Sequence, residues 1–298
     1  MALLSNTRPG LALEPALLAL RTQVDTRLGE LLPEPEHPQD LIAEAMREGV
    51  LAPGKRVRPL LMLLALHDLD AHAPGAIDIA CSLEMVHAAS LFLDDLPCMD
   101  DATLRRGRPT LHIRYGEDVA VLASVALLSH AFSVVAAAPE LSASVRTRAV
   151  GLLSQAIGPY GLVRGQFYDL HGGHQARALD AIAKANQLKT GSLFIAALET
   201  AGLIAGCSRA DIASLRSVAQ EFGLGFQLLD DLNDGKASEH TGKDAHQDRD
   251  KTTVVALLGR DAARQQLRLH VRRANAQLER LGLADGLTAQ LLARIFAD

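Results

Sequence analysis

The sequence predicts an all-α protein, and three observations support that prediction. Of its 298 residues, 48% are apolar, which is enough for a large core. Alanine and leucine dominate, aromatic residues make up only 3%, and runs of β-branched residues are few, which favours helix over sheet. No strand-length stretch alternates apolar and polar residues around an Asn-Gly or Asp-Gly turn. We expect one large bundle of long helices.

Individual helices are predicted from caps, prolines and the spacing of apolar residues. Asp40 is a suitable N-cap for the helix that follows it, and three prolines between positions 33 and 38 mark a loop before it. A polar, arginine-rich loop is expected over residues 97–110. The predicted helices span about residues 14–32, 40–48, 59–69, 77–95, 118–137, 142–171, 178–204, 209–233 and 251–283. No repeat or linker divides the chain, so residues 1–298 are expected to form one domain, with residues 1–12 disordered.

Charge and cysteine content narrow the function classes. The net charge of −5 argues against a general nucleic-acid-binding surface. Cys81, Cys98 and Cys207 form no CxxC pair, which argues against both a disulfide framework and a zinc ribbon. The N-terminus shows no signal-peptide pattern. These features predict a reduced, cytoplasmic setting.

One segment has the length of a membrane span. Residues 119–138 carry no formal charge, but Ser124, Ser129 and His130 interrupt them and alanine is abundant. A central histidine adds to the cost of insertion. We predict a buried helix of the bundle, or one at a subunit interface, and no stable membrane insertion.

Two clusters of aspartates each follow an apolar helix. The first contains Asp94, Asp95, Asp100 and Asp101, and the second contains Asp230, Asp231 and Asp234. Gln227, Asp230 and Asp234 share one helical face, where like charges destabilise a helix unless a cation joins them. In the first cluster Pro97 interrupts the helix, so we predict a bulge that returns Asp100 to the side of Asp94. Magnesium favours such oxygen ligands together with substrate phosphates.

Basic residues lie beside these clusters and beside glycine turns. Arginine forks suit phosphate oxygens, and lysine adds a point charge. The pattern predicts a site that grips a diphosphate between two sets of carboxylates. The candidates are Lys55 and Arg58 after Gly54, Arg105 and Arg106 after the first cluster, Lys189 before Gly191, and Lys243 and Lys251 after the second cluster.

Together these motifs resemble the trans-isoprenyl diphosphate synthases, also called polyprenyl synthetases. The resemblance covers about residues 54–259 and rests on GKRVRP, DDLPCMDDATLRRGRPT, GQFYDL, LKTGSL, FQLLDDLND and GKDAHQDRDK. It is greatest to the bacterial members that make geranylgeranyl diphosphate. The family has the isoprenoid synthase fold, with a deep apolar pocket inside the bundle, and is usually a homodimer.

The resemblance also implies roles for individual residues. Asp94 and Asp100 are expected to bind two magnesium ions and Asp230 a third, with Asp95, Asp231 and Asp234 in support. The expected contacts to the allylic diphosphate are Arg105, Lys189 and Lys243, with Lys251 as a further phosphate contact. Those to isopentenyl diphosphate are Lys55, Arg58, His87 and Arg106. Thr190 and Gln227 are expected to face the developing carbocation.

Product length is predicted from the residues one turn before Asp94. Ala89 and Ser90 are both small, whereas a bulky aromatic residue there closes the pocket early in relatives that make a fifteen-carbon product. The small pair predicts geranylgeranyl diphosphate, with twenty carbons. Farnesyl diphosphate synthesis and a non-catalytic subunit of a heteromeric synthase remain the alternatives.

Two other classes fit the sequence less well. A terpene cyclase lines its cavity with aromatic residues, which are scarce here, and would leave Lys55, Arg58 and His87 unexplained. A di-iron bundle needs two helical ExxH motifs, and only Glu84 with His87 supplies one on a predicted helix. His112 and His130 are left as hydrogen-bonded core residues.

Overall fold

The computed structural model describes residues 12–105, 107–171, 179–233 and 254–297, and helices dominate it. The helices are α1 Leu13–Leu31, α2 Leu41–Leu51, α3 Val57–Asp68, α4 Ala76–Asp94, α5 Leu111–Tyr115, α6 Glu117–Ala137, α7 Ala143–Ile157, α8 Leu162–His171, α9 Leu179–Asn186, α10 Ser192–Ile204, α11 Arg209–Asn233, α12 Val254–Leu258, α13 Arg260–Arg280 and α14 Leu287–Ile295. A π-helical turn, Gln187–Gly191, joins α9 to α10. The predicted all-α class is confirmed.

Two short strands lie in the loop after the first aspartate cluster. Strand β1 (Leu104–Arg105) pairs antiparallel with β2 (Arg108–Pro109). The sequence predicted no strand here because each is only two residues long. The Thr110 hydroxyl donates to the carbonyl oxygen of Ala102 at 2.8 Å and closes the base of this hairpin. The hairpin fixes the backbone that carries Arg105.

Three predicted helices are broken in the structure. The helix expected over 142–171 ends at Ile157, because Pro159 disfavours the helical state at Gly158. The one expected over 178–204 contains the π-helical turn. The one expected over 251–283 breaks at Gly259, whose φ of 80° suits glycine and interrupts the helix, while residues 251–253 lie outside the described part.

The apolar core draws on helices from α1 to α14. Helix α4 is buried along most of its length and packs on α3 and α6, while α10 packs on α3, α7 and α11. Helix α11 lies along α13, and the buried residues Leu228, Leu232, Ala263 and Leu267 form a smaller cluster between them. The ends of α4, α8, α10 and α11 thereby converge on the candidate site.

Polar side chains tie distant helices together. Asp68 at the end of α3 accepts backbone N–H bonds from Leu287 and Thr288 at 2.9 and 2.7 Å, and so caps α14, a helix the sequence did not predict. His130 Nε2 lies 2.7 Å from the carbonyl oxygen of Leu31, which joins α6 to α1. His112 pairs with Thr110 at 3.1 Å. Both histidines are hydrogen-bonded, as the sequence analysis expected.

Within the described residues, two helices are long and apolar enough to cross a membrane. They are Ala76–Asp94, whose most apolar window is 72% buried inside the bundle, and Glu117–Ala137, whose window is 44% buried. The buried share of the first is that of a core helix. Val121, Leu122 and Val125 on the second are exposed apolar residues.

Candidate active site

The first aspartate cluster folds back on itself at the end of α4. The helix ends at Asp94, and the backbone N–H of Asp100 donates to the carbonyl oxygen of Asp94 at 2.9 Å. Ala102 donates in the same way to the Asp95 carbonyl at 3.2 Å. The predicted bulge is therefore present, and Asp100 lies beside Asp94 although it follows six positions later in the chain.

Burial makes the charged state of Asp94 unfavourable. Its side chain is among the buried polar groups, at 9% exposure, and desolvation raises the pKa of Asp94 to about 6. The nearby positive charge of Lys189 opposes that rise, whereas the carboxylate of Asp100 adds to it. Asp94, Asp100 and Lys189 are thus close enough to influence one another. A cation between the two carboxylates would favour their charged forms.

Asp95 holds the arginine of the hairpin. Arg105 Nε donates to Asp95 Oδ1 at 2.6 Å, and a second guanidinium nitrogen lies 2.5 Å from the same oxygen. Burial raises the pKa of Asp95, and the bond from Arg105 opposes that rise. The ion pair holds the Arg105 guanidinium beside the first cluster.

The π-helical turn places Lys189 and Thr190 opposite that cluster. Lys189 Nζ lies 2.7 Å from Asp169 on α8, which fixes the ammonium group. A Cβ at Gly165 would lie 2.2 Å from the backbone nitrogen of Lys189, and a Cβ at Gly223 would lie 2.8 Å from the Cα of Gly191. Helices α8 and α11 therefore approach the turn from two sides at positions where only glycine fits.

A chain of hydrogen bonds connects this turn to the second aspartate cluster. The Thr190 hydroxyl donates to Gln227 Oε1 at 3.0 Å, and Gln227 Nε2 donates to Asp231 Oδ1 at 2.9 Å. Asp230, which precedes Asp231 on α11, is exposed. The two clusters thus lie on either side of the π-helical turn, Lys189 facing one and Thr190 linked to the other.

The GKRVRP turn contributes cations at the start of α3. Lys55 is exposed, and the Arg58 guanidinium carbon lies 4.8 Å from the ring centre of Phe194 on α10. Between them, Arg56 has a left-handed backbone (φ 51°) and a buried side chain. Its guanidinium donates to Glu84 and to Asp25, each at 2.8 Å. This buried network fixes the turn against α4 and α1.

A cavity between α2, α4 and the hairpin brings some of these groups together. His87, Arg105, Asp95 and Arg56 all line it. His87 and Arg105 were predicted to contact two different diphosphates, and they share this cavity. Lys55 and Arg58 are not part of its lining.

Comparisons with known proteins identify the family. Residues 39–281 match the family model described as polyprenyl synthetase. Over 87% of this chain and 85% of the relative, the sequence is 51% identical to a geranylgeranyl diphosphate synthase of Pantoea ananas. It is 48% identical to the geranylgeranyl diphosphate synthase of Pseudescherichia vulneris, over 93% of this chain and 90% of that relative. It is 39% identical to a farnesyl diphosphate synthase of Micrococcus luteus, over 80% of this chain and 84% of that relative.

The chain belongs to the polyprenyl synthetase family. Solved structures agree: a FPP/GFPP synthase from Zymomonas mobilis matches with a TM-score of 0.86 at 32% identity, over 96% of this chain and 99% of that one. A geranyltransferase from Helicobacter pylori, complexed with magnesium and isoprenyl diphosphate, matches with a TM-score of 0.82 at 31% identity, over 96% and 97%. The chain is accordingly a prenyltransferase of the isoprenoid synthase fold, in a family whose reaction depends on magnesium.

The described residues fit magnesium as a bound partner of this family site. Asp94 and Asp100 offer hard oxygen ligands at one position, and their mutual repulsion is what a divalent cation relieves. Among the residues that the structure describes, no three acidic, thiol or imidazole side chains converge on a single metal position. Magnesium usually completes its shell with water and substrate phosphates, so one or two carboxylates are a suitable protein contribution.

Four predicted site residues lie outside the described part of the chain. They are Arg106, Asp234, Lys243 and Lys251. The predicted disordered N-terminus also falls there, apart from Ala12. The roles of these four residues stay predictions.

Three further residues of the site lie in the motifs named above, but the sequence analysis predicted no role for them. Arg56 lies between the two predicted cations of GKRVRP, and spacing alone does not distinguish a buried arginine from an exposed one. Asp169 ends the GQFYD run and pairs with Lys189. Gln166, only 8% exposed, has neither amide atom hydrogen-bonded within the described residues. No local pattern in the sequence indicated that this glutamine is buried.

Proposed function

We propose that this chain condenses isopentenyl diphosphate with an allylic diphosphate, dimethylallyl, geranyl or farnesyl, to give mainly geranylgeranyl diphosphate. One observation carries the proposal most directly. The backbone N–H of Asp100 donates to the carbonyl oxygen of Asp94 at 2.9 Å, and Lys189 is near enough to influence the charge of Asp94. Two carboxylates suited to a metal and a cation suited to a phosphate oxygen thus lie close to one another. The identity to geranylgeranyl diphosphate synthases supports the product assignment.

The proposal assigns three magnesium ions to the site. Asp94 and Asp100, supported by Asp95, would hold two, and Asp230, supported by Asp231 and Asp234, would hold the third. Bound magnesium would neutralise the charge that develops on the leaving diphosphate. Arg105, Lys189 and Lys243 would grip the same diphosphate, with Lys251 as a further contact.

The second substrate would bind beside the first, where His87 and Arg105 line the same cavity. Lys55, Arg58, His87 and Arg106 would hold the diphosphate of isopentenyl diphosphate, with Arg56 fixing the turn that carries the first two. Phe194 lies under the Arg58 guanidinium and limits its movement. Holding both substrates in place converts their encounter into a step within one complex.

Heterolysis of the allylic carbon–oxygen bond begins the reaction and leaves an allylic cation. The oxygen atoms of Thr190 and Gln227, held 3.0 Å apart, would face that cation. The double bond of isopentenyl diphosphate supplies the electron pair of the new carbon–carbon bond. The released diphosphate would then remove a proton to form the product double bond. No protein nucleophile is required.

Product length would be set at Ala89 and Ser90. The Ser124 hydroxyl of α6 donates to the carbonyl oxygen of Ala89 at 2.9 Å, so α6 backs this turn of α4. Small residues here leave room for the growing tail. The Ala89→Tyr variant is expected to shift the product towards farnesyl diphosphate, as read by mass spectrometry. An unchanged product distribution would mean that other residues close the end of the apolar pocket.

We also propose that the chain acts as a cytoplasmic homodimer through α6. This helix carries few polar residues, and three of its apolar residues are exposed: Val121, Leu122 and Val125. Burying such a patch against a second copy is favourable in water. Size-exclusion chromatography with light scattering is expected to give a molar mass of twice the 31.8 kDa chain mass. The Val125→Glu variant is expected to have the mass of a single chain.

A product assay tests the reaction itself. The purified protein is incubated with magnesium, isopentenyl diphosphate and each of the five-, ten- and fifteen-carbon allylic diphosphates, with EDTA as the control. A magnesium-dependent twenty-carbon product is expected from all three starters. A fifteen-carbon product would keep the reaction class and reject the assigned length, and no product from any starter would reject the proposal.

A further inference from the structure

Helix α13 carries a row of exposed arginines that the proposed reaction does not use. Arg264, Arg268 and Arg272 are four residues apart and all exposed. The helix holds six arginines against two acidic residues, in a chain whose net charge is −5. Like charges four apart destabilise a helix, so this row is unfavourable unless an anion joins it.

The row borders a recess with an apolar floor. Arg264, Arg268 and Arg272 line it together with Leu267, Val271 and Phe296, and its volume is about 290 Å³. Leu267 is only 4% exposed, so the floor lies below the surface of the helix. We call this recess the α13 groove. It combines guanidinium groups at the rim with hydrocarbon beneath them.

Two of the rim arginines have no partner within the described part of the chain. Arg264 lies 4.0 Å from the exposed Asp261, whereas Arg268 and Arg272 make no ion pair or side-chain hydrogen bond with any residue that the structure describes. Two guanidinium groups one turn apart match the two phosphates of a diphosphate. The floor below them matches an attached hydrocarbon chain.

The floor of the groove is connected to the catalytic side of the bundle by aromatic rings. The Phe296 ring centre lies 5.3 Å from that of Phe222, which lies 4.7 Å from that of Phe194. Arg58 lies over the other side of this contact, 4.8 Å from the Phe194 centre. Two ring contacts and the contact with Arg58 therefore connect Phe296 to a predicted diphosphate-binding arginine.

We propose that the α13 groove is a second, non-catalytic site for an isoprenyl diphosphate. Arg268 and Arg272 bind the diphosphate, and the first isoprene units lie on Leu267, Val271 and Phe296. The occupant is a single-tailed anion because the recess is at the small end of ligand pockets, about 300 Å³. The proposal rests on the proposed function, since the ligand is the class of molecule that the chain makes. Occupancy lowers turnover by displacing Arg58.

Binding is measured by isothermal titration of geranylgeranyl diphosphate in EDTA, where no turnover occurs. The Arg268→Gln/Arg272→Gln variant is expected to weaken binding at least about tenfold, because two charge-assisted contacts are lost. The matched control is Arg148→Gln/Arg280→Gln, which removes two exposed charges elsewhere and should bind as the wild type does. Equal thermal midpoints of all three proteins establish that the variants fold.

Two further arms separate the possible anions. Pyrophosphate alone is expected to bind more weakly than the prenyl diphosphate in the wild type, since it cannot use the apolar floor. Vesicles containing phosphatidylglycerol are expected to sediment the wild type and the groove variant equally. Arginine-dependent sedimentation with unchanged geranylgeranyl diphosphate binding would overturn the proposal in favour of a membrane contact.

Initial rates with magnesium test the coupling to turnover. Added geranylgeranyl diphosphate is expected to inhibit the wild type and the control variant at concentrations where the groove variant keeps its rate, and the rates without added product should agree. Identical inhibition of all three proteins, together with identical binding in EDTA, would overturn the proposal and leave the assigned reaction unaffected.

Discussion

Two aspartates of the first cluster, Asp94 and Asp95, are buried at the end of α4, whereas Asp230 of the second cluster is exposed on α11. Asp94 and Asp95 are 9% and 4% exposed, and Asp230 is exposed. Backbone hydrogen bonds shape the first cluster, because Asp100 and Ala102 donate back to the residues that end α4. In the second cluster, the side chain of Gln227 donates a hydrogen bond to Asp231. The first cluster would therefore hold a metal with buried carboxylates fixed by the backbone, and the second with an exposed carboxylate on a helix.

Burial of charged carboxylates in the first cluster lowers the free energy of unfolding, and a bound cation would offset this loss. Desolvation raises the pKa of Asp94, so its charged form is disfavoured in the metal-free protein. Asp230 is exposed. Both clusters are expected to matter for catalysis, and the burial of Asp94 is expected to reduce stability before metal binds.

The largest expected effects are on turnover. The Asp94→Asn and Asp230→Asn variants each lose a metal ligand, and each is expected to lower kcat/KM on the order of 1,000-fold. Initial rates at saturating magnesium measure this. A loss below about tenfold in either variant would remove that residue from the metal site.

The next effect concerns the π-helical turn between the clusters. The Gly165→Ala variant places a Cβ against the Lys189 backbone, so we expect about 1–3 kcal/mol of destabilisation and a fall in kcat/KM. Gly151→Ala is the matched control: it is also helical, but nothing lies within 4 Å of its added Cβ. That variant is expected to be more stable by up to about 1 kcal/mol. Equal stability changes in both would refute the close contact.

The pH dependence of stability tests the burial of Asp94 in the first cluster. Since the pKa of Asp94 is raised to about 6, the proton binds more tightly to the folded state, and the stability it contributes at low pH is lost as the pH rises through 6. In EDTA, the wild-type free energy of unfolding is expected to fall by about 1 kcal/mol more than that of Asp94→Asn between pH 5 and pH 8. Urea denaturation measures this, and an equal fall in both proteins would contradict the raised pKa of Asp94.

The smallest effect concerns the link from the turn to the second cluster. Thr190→Val removes the donor to Gln227, and a neutral hydrogen bond of about 1 kcal/mol corresponds to a fall in kcat of about fivefold. Thr190→Ser keeps the hydroxyl and is expected to stay within twofold of the wild type, about 0.4 kcal/mol. If the serine variant loses as much as the valine variant, the methyl group rather than the hydrogen bond is responsible.

Local chemistry made much of this site predictable. Pro97 cannot continue a helical hydrogen-bond ladder, so the return of Asp100 to Asp94 followed from the sequence. Asp40 capped α2 as its residue type indicated. The resemblance supplied the roles of most other residues, and those roles stay predictions.

Long-range packing was not predictable in the same way. The π-helical turn depends on α8 and α11 approaching at Gly165 and Gly223, contacts that no local pattern encodes. The pairing of Lys189 with Asp169 links residues 20 apart through the same packing. Burial of Arg56 likewise depends on Glu84 and Asp25, which belong to other helices.

The central claim is that both aspartate clusters face one substrate diphosphate. The most direct test is anomalous diffraction from crystals grown with Mn²⁺ and an unreactive thiol-linked allylic diphosphate analogue. We expect manganese peaks beside Asp94 and Asp100 and a further peak beside Asp230, all contacting the same diphosphate. Peaks confined to one cluster, or a diphosphate bound away from both, would contradict the account.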